Sequence, residues 1–311
     1  MKIFRYDKNK HFPIRELSIA MGNFDGLHLG HKSVIELARH KSQAGKFGVL
    51  TFDPHPREFF FPQAQPFRLM SKITKQMNLE NLNLDVLLEV PFTKDISLLE
   101  PTEFIKKILS EYFKINHIVI GEDFKFGYKR SGDAQLLKNL GRSYGIMVTI
   151  APLLKTSIVD ISSTAVREAL KNGNPQKASE MLGELYSIVG TVIEGDKRGR
   201  TLGFPTINLD LSGLHLPKFG VYSAVTKILT GRHQGSYPAA VSIGERPTYG
   251  KNKPNLEAHL LNFSENVYGE QVSVSLIAFQ RPEITYSSSE ELIQQMKKDC
   301  AIAMKLYEDS A

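Results

Sequence analysis

The sequence predicts an α/β unit built on a doubly wound parallel sheet, followed by an antiparallel β unit that ends in a helix. Three observations carry this. From residue 17 to about 150, short apolar runs alternate with amphipathic stretches, the pattern of strands alternating with helices. Beyond Gly183 the pattern turns to β-branched segments of period two at close spacing, which argues for an antiparallel barrel or sandwich. The chain has 311 residues, and single cores usually stop growing near ~250 to 300. Two domains are therefore expected, 1–183 and 184–311.

In the first domain the expected strands are 17–21, 47–52 (FGVLTF), 85–90 (DVLLEV), 117–121 (HIVIG) and 146–150. Between them, apolar residues at helical spacing fall near 31–43, 71–82, 102–113 and 133–142, which predicts four helices. ISSTAVREALKNGNPQKASEMLG then reads as two short helices, with a hydroxyl cap within Ser162 to Thr164 and a stop at Gly173 and Pro175. In the second domain YSIVGTVIEG, GVYSAVTKIL, YPAAVSIG, LEAHLLNF and QVSVSLIAFQR are the expected strands. The closing SSSEELIQQMKKDCAIAMKLYE predicts a helix whose start fits a capping box between Ser288 and Glu291.

Composition narrows the function classes. No apolar stretch approaches the ~20 residues of a membrane span, and MKIFRYDKNK lacks the apolar run of a secretory signal. The single cysteine, Cys300, has no internal partner for a disulfide. A soluble, cytoplasmic protein is expected. The net charge of +6 suits nucleic acid or phosphate-rich small ligands alike. The basic residues are dispersed, and neither an aromatic RNA-recognition signature nor a zinc finger is present. The expected partners are therefore small molecules, with no nucleic acid, no membrane and no oligomeric state specified.

GNFDGLHLGH, residues 22–31, joins the strand at 17–21 to the next helical stretch. Such turns sit at the carboxyl ends of parallel strands, where glycines let backbone amides approach an anion at a helix start. A phosphate site is expected. The G-x-x-x-G-x-x-x-G spacing of Gly22, Gly26 and Gly30 is neither the dinucleotide fingerprint nor a Walker loop. His28 and His31 read either as packing histidines, as metal ligands one turn apart, or as donors that offset charge on a departing pyrophosphate. The last reading implies nucleotidyl transfer.

TFDPHP (51–56) leaves the second strand with two prolines that hold an extended, rigid exit. Phe52 within it reads as core or as a ligand platform. GEDFKFGYKRSGD (121–133) combines glycines, aromatics and cations after the fourth strand, which suits a flat aromatic ligand carrying phosphate, or a solvated loop. In ISSTAVR, hydroxyls at a helix start stand one turn from Arg167, either as plain caps or as a second anion cradle.

EGDKRGRTLGFPTINL (194–209) is dense in glycine and cations. Gly195, Gly199 and Gly203 allow amides to face phosphates, and Thr206 and Asn208, two apart on an extended segment, point the same way. That pair suits one shared Mg²⁺. Glu257 in LEAHL lies on a strand, as a solvated carboxylate or as the base that phosphoryl transfer to an alcohol requires.

Taken in order, GNFDGLHLGH, TFDPHP, GEDFKFG, ISSTAVREAL, GRTLGFPTIN, GVYSA, IGERPTYG and LEAHLLNF resemble the bacterial bifunctional riboflavin kinase/FAD synthetase family over nearly the whole chain. The resemblance implies a Rossmann-like nucleotidyltransferase domain before a riboflavin kinase-like barrel. It implies phosphorylation of riboflavin to FMN, then adenylylation of FMN to FAD with release of pyrophosphate, with ATP as co-substrate and Mg²⁺ as cofactor. On that resemblance His28 and His31 bind ATP phosphates, and Gly22, Asn23, Phe24, Asp25 and Gly30 shape the turn. Ser163, Thr164 and Arg167 hold the triphosphate, and Phe52, Pro54, Pro56, Asp123 and Phe126 form the flavin-facing set. In the kinase, Thr206 and Asn208 take Mg²⁺ and ATP, while Gly195, Gly199, Gly203, Phe204 and Pro205 form the nucleotide loop. Glu257 is the base, and Arg281 lies near the flavin. Ile207, Gln280 and Tyr286 depart from the usual family residues. Three rivals are an adenylyltransferase of another substrate with the barrel as a binding module, a flavin-binding regulator that has lost catalysis, and an RNA binder whose affinity would fall steeply with salt.

Overall fold

The computed structural model describes all residues except 43–44, 153, 155–160, 196–197, 247–252 and 310–311. By contacts the chain forms two compact units, one of Met1–Ala64 with Lys75–Ile161 and one of Gln65–Thr74 with Ser162–Ala311.

Up to residue 161 the chain runs β1 (Lys2–Arg5), β2 (Leu17–Met21), α1 (Leu29–Lys41), β3 (Lys46–Asp53), α2 (Pro56–Phe60), α3 (Lys72–Asn81, of which Lys75 onward belongs to the first unit), β4 (Val86–Pro91), α4 (Lys94–Ser97), α5 (Pro101–Glu103), β5 (Ile115–Gly121), β6 (Lys125–Phe126), β7 (Gly132–Asp133), α6 (Ala134–Gly141) and β8 (Met147–Ala151). Six strands form a parallel sheet in the order β1-β4-β3-β2-β5-β8. The order reverses beside β2. From there the chain builds outward to β3 and β4, then returns to the other side for β5 and β8. Open α/β sheets bind ligands at such a switch point, outside the carboxyl ends of the strands. The turn after β2 and the turn after β5 both leave from that place. All five residues of β2 are buried, as a central parallel strand covered on both faces requires.

The strands expected at 17–21, 47–52, 85–90, 117–121 and 146–150 are all present. The helix expected at 31–43 begins earlier, at Leu29, because His28 caps it. The stretch 102–113 is a short α5 that runs on as a π-helix over Phe104–Tyr112. Its apolar face, Phe104, Ile105, Ile108 and Leu109, is buried all the same, so the pattern of burial holds while the hydrogen-bond period does not. The extended exit expected of TFDPHP is corrected. Pro56 stands at the first position of α2, with His55 and Glu58 in a reciprocal capping box. Proline fixes φ near the helical value and lacks the N–H that a first turn cannot use.

The second unit contains α7 (Ser163–Lys171), α8 (Pro175–Leu182), β9 (Ser187–Thr191), α9 (Arg198–Thr201), β10 (Ile207–Asp210), β11 (Gly220–Ile228), β12 (Gly235–Arg246), β13 (Lys253–Leu260), β14 (Gln271–Arg281) and α10 (Ser289–Glu308). Its sheet is antiparallel in the order β10-β13-β12-β11-β14-β9. Past the end of β9, Ile193 bridges to Asn208 of β10, and its N–H donates to the Asn208 carbonyl at 2.9 Å. That bridge joins the two outer strands and nearly closes a barrel. Along β14, Val272, Val274, Leu276 and Ala278 are buried in alternation, the period-two signal read from the sequence. Helices α7 and α8, which precede residue 183, lie by contacts with this unit. The Lys218 N–H donates to the Leu170 carbonyl at 2.9 Å.

Caps follow the expectation for α7, where the Ser162 hydroxyl accepts from the Ala165 N–H. At α10 the expected box is half formed. Ser288 accepts from the Glu291 N–H, but the Glu291 carboxylate turns to the N–H and hydroxyl of Ser287.

Candidate functional site

Three left-handed residues in close succession, Phe24, Gly26 and Leu27, fold GNFDGLHLGH into a turn. For non-glycine residues that conformation costs about 1–3 kcal/mol each and persists only where the surroundings impose it. Here they do. The Gly22 N–H extends the β2–β3 pairing to the Leu50 carbonyl at 3.1 Å, and Phe24 and Leu27 are each 1% exposed. His28, buried, accepts at Nδ1 from the His31 N–H at 3.3 Å. A neutral ring that accepts at Nδ1 carries its proton on Nε2. The rings of His28 and His31 stack at 3.7 Å, and the Phe24 ring meets His31 edge-on at 5.2 Å. Gly30 packs closely beside them, and a Cβ there would lie 3.1 Å from His28 Nδ1. Asp25 is buried in the same turn. Among the described residues no group of three or more His, Cys, Asp or Glu side chains is arranged to hold a metal.

At the carboxyl ends of β3 and β4 the aromatic rings form a series. Phe52 meets Phe92 edge-on at 5.6 Å and Phe104 at 6.0 Å, and Phe92 also meets Phe59 and Phe60. Pro54 follows β3 by a cis peptide from Asp53. After β5, Asp123 is exposed on the turn before the β6–β7 hairpin. Phe126 is only 6% exposed and packs between Phe104 and Phe124.

Ser163, Thr164 and Arg167 stand on the first two turns of α7. Arg167 Nε donates to the Phe67 carbonyl at 2.6 Å, and its guanidinium covers the Phe67 ring at 5.2 Å. These three belong to the second unit by contacts, and the histidine turn to the first.

In the barrel, Asn208 of β10 and Glu257 of β13 are register partners. Thr206 and Asn208 lie on one face of their segment, Asn255 and Glu257 on one face of the facing strand. The Thr206 hydroxyl donates to Glu257 Oε2 at 3.3 Å, and Asn255 Nδ2 donates to Asn208 Oδ1 at 3.2 Å. Asn208 is 3% exposed. Four oxygen-bearing side chains thus meet at the end of the 194–209 loop. That loop is not wholly irregular, since Arg198–Thr201 make the single turn α9. The Phe204 N–H closes it onto the Gly199 carbonyl at 2.8 Å, and a Cβ on Gly199 would lie 2.3 Å from the Phe204 carbonyl oxygen. Gly203 is left-handed at φ 85°. Pro205 accepts at its carbonyl from His259 Nδ1 at 2.7 Å, and Phe204 packs edge-on to the same ring. Gly195 leads into residues 196–197, which lie outside the described residues, as do 247–250 of IGERPTYG.

Residues 13–165 match the FAD synthetase family and residues 182–307 the riboflavin kinase family. The bifunctional riboflavin kinase/FMN adenylyltransferase of Haemophilus influenzae is 35% identical over 99% of both chains. The protein of the same description from Escherichia coli K12 is 33% identical over 93% of this chain and 92% of its own. This chain belongs to the bifunctional riboflavin kinase/FMN adenylyltransferase family. A crystal structure described as a macrolide-efflux protein from Streptococcus pneumoniae shares the fold, with a TM-score of 0.84 and 26% identity over 98% of this chain and 99% of its own. Among the described residues of the present chain no helix is long and apolar enough to cross a membrane.

Two features of this riboflavin kinase/FMN adenylyltransferase family member are not readable from its motifs. One is a cavity of about 410 Å³ beside the 194–209 loop, lined by Arg200, Pro205 and Thr206 and by the segment Phe263 to Tyr268. Sequence reading missed that segment because it follows a strand without glycines or cations in a recognisable spacing. The other concerns Arg281. Expected near the flavin, its guanidinium forms a two-pronged ion pair with Asp299 of α10, at 3.0 and 2.6 Å. Hydrogen bonding to that carboxylate raises the guanidinium further above its ordinary range. Gln295 also donates to Asp299 at 2.8 Å. Both partners are largely buried, at 16% and 5% exposed. Removing one partner of such a pair strands the other charge and costs about 3–5 kcal/mol. Arg281→Met should therefore lower the stability of this unit by roughly 3 kcal/mol, and Arg281→Met with Asp299→Leu should recover much of it. Calorimetric unfolding of the three proteins checks both results.

Proposed function

We propose that the two activities of this family, riboflavin kinase and FMN adenylyltransferase, reside in two modules, adenylyl transfer in 1–183 and phosphoryl transfer in 184–311. Family membership gives the chain synthesis of FMN and then FAD, with riboflavin, FMN and ATP as substrates. The assignment of residues rests above all on the shared face of Thr206, Asn208, Asn255 and Glu257. On it a carboxylate, a hydroxyl and two carboxamides meet beside a glycine loop and a cavity.

In the kinase module, Glu257 accepts the proton of the ribityl hydroxyl as that oxygen attacks the terminal phosphorus of ATP and the bond to the bridging oxygen breaks, releasing ADP. Thr206, already bonded to Glu257, keeps the carboxylate aimed. The glycine loop that carries Gly195, Gly199 and Gly203 receives the phosphate chain, and Arg200 offsets its charge. Thr206 and Asn208 offer neutral oxygen donors next to a carboxylate, a set that fits Mg²⁺, which prefers oxygen ligands and completes its shell with water and phosphate. When bound, Mg²⁺ neutralises phosphate charge and fixes its geometry. Arg281 lies near the flavin on this reading, its guanidinium held by Asp299 of α10.

In the adenylyltransferase module, the turn that follows Gly22 and the start of α1 receive phosphate. The His28 Nε2–H, set by its Nδ1 contact, and His31 stabilise the charge that grows on pyrophosphate as it leaves. Such donors act without a covalent intermediate, because aligned dipoles cost nothing to reorganise during the reaction. Ser163, Thr164 and Arg167 form an anion cradle at the start of α7. Phe52, Pro54, Pro56 and Asp123 bound the flavin, with Phe126 supporting them from the core. Phe59, Phe60 and Phe92 extend the aromatic wall.

A cytoplasmic location accords with an ATP-consuming synthesis of soluble cofactors, and the partners are small molecules only. The test is product analysis by chromatography of the full chain with riboflavin, ATP and Mg²⁺. FMN followed by FAD is expected, and chelation with EDTA should abolish both. FMN without FAD when FMN itself is supplied would defeat the first-module assignment. Undiminished turnover in EDTA would defeat the Mg²⁺ assignment.

A further inference from the structure

Lys75, on α3, takes no part in any motif above. Its ammonium donates to the Asn23 carbonyl at 2.8 Å and reaches the Thr51 hydroxyl at 3.5 Å. Thr51 is 2% exposed and donates to the same carbonyl at 3.3 Å. One carbonyl therefore receives two donors, one of them charged, and charge-assisted hydrogen bonds are about twice as strong as neutral ones. The position of that carbonyl matters. Asn23 is the last residue before the left-handed run that begins at Phe24 and ends at the His28 cap. Strained turns hold only where the surroundings over-determine them, and this clamp grips the turn from β3 and α3 at the point where the strain begins.

We propose that Lys75, with Thr51, is a positioning residue for adenylyl transfer, fixing the Asn23 carbonyl so that the amides and histidines of the turn meet the ATP phosphates. This rests on the reading of the turn as the phosphate site. Without the clamp the turn relaxes, and phosphates lose preorganised partners in both the ground state and the transition state. ATP binding and turnover fall together, whereas FMN, held elsewhere in the module, keeps its affinity.

The experiment is steady-state adenylylation of FMN by the full-length Lys75→Met, Lys75→Arg and Thr51→Val proteins, with riboflavin phosphorylation as an internal control in each. For Lys75→Met the ATP KM should rise about fivefold or more and kcat/KM fall on the order of tenfold to a hundredfold, with the FMN KM and the kinase rate within about twofold. Lys75→Arg should restore most of the loss. Thr51→Val removes one donor almost isosterically and should raise the ATP KM by about twofold to threefold, which keeps the test available should Lys75→Met fold poorly. A role in stability alone would lower the active fraction and hence kcat, leaving the ATP KM unmoved. An unmoved ATP KM in Lys75→Met, or in Thr51→Val where Lys75→Met is insoluble, overturns the inference. His28→Ala run alongside separates the two levels. If it is crippled while the clamp variants are normal, only the clamp fails, and if it too is normal, the reading of the turn fails with it.

Discussion

Glu257→Gln should lower FMN formation from riboflavin by about a hundredfold to ten-thousandfold, the range over which a positioned base contributes, while FAD formation from supplied FMN stays unchanged. Glutamine keeps the size of the side chain and can still accept a hydrogen bond from Thr206, so the barrel should unfold as before. What it lacks is the capacity to take a proton. The same chain carries the control, because adenylyl transfer is assigned to residues of the other module. The measurement is initial rates of each half-reaction, with riboflavin or with FMN as the flavin supplied. Loss of both activities would point to misfolding, and retention of both would remove Glu257 from the chemistry.

The complementary variant acts on the other reaction. His28→Ala should reduce adenylyl transfer on the order of a hundredfold to a thousandfold, as loss of one preorganised donor to developing charge does elsewhere, and riboflavin with ATP should then accumulate as FMN. Alanine also deletes the cap of α1, which costs about 1 kcal/mol, so a second variant separates the two effects. Asparagine is among the best N-caps and cannot supply an imidazole. His28→Asn should therefore recover the thermal stability and not the rate. If it recovered both, His28 would be a cap and nothing more.

Much of this was legible in the chain because periodicity survives without tertiary context. The runs of β2 to β5 are mostly apolar and largely buried, and β14 alternates along its length, so the parallel and antiparallel sheets are distinguishable in the sequence. The edge strand β1 is not. KIFR offers two apolar residues between two cations, and only its pairing with β4 makes it a strand. Pro56 was ambiguous in principle, since the φ it fixes serves an extended exit and a helix start equally. The site residues showed a similar division. Glycines, histidines and hydroxyls in tight spacing carry their chemistry locally, so the turn at 22–31 and the pair Thr206 and Asn208 stand out as candidates from the chain alone. Phe59, Phe60 and Phe92 look like any core aromatics, and only three-dimensional proximity joins them to Phe52. The ion pair of Arg281 is not legible in the chain either, because its partner Asp299 stands eighteen positions away and only the placement of α10 brings the two together.

The bridge from Ile193 to Asn208 has a consequence for the loop it spans. The 194–206 segment begins and ends at neighbouring points of the barrel, stapled there by the donation of Ile193 to Asn208. Bringing two chain ends together carries an entropic cost that rises with the logarithm of loop length, and here that cost is met during folding and not at each encounter with nucleotide. On the proposed reading, phosphate meets a loop already tied at its neck. The tie is made to the backbone of Asn208, the residue whose side chain we propose as an Mg²⁺ ligand, so the neck of the loop and the proposed ligand rest on one residue of β10.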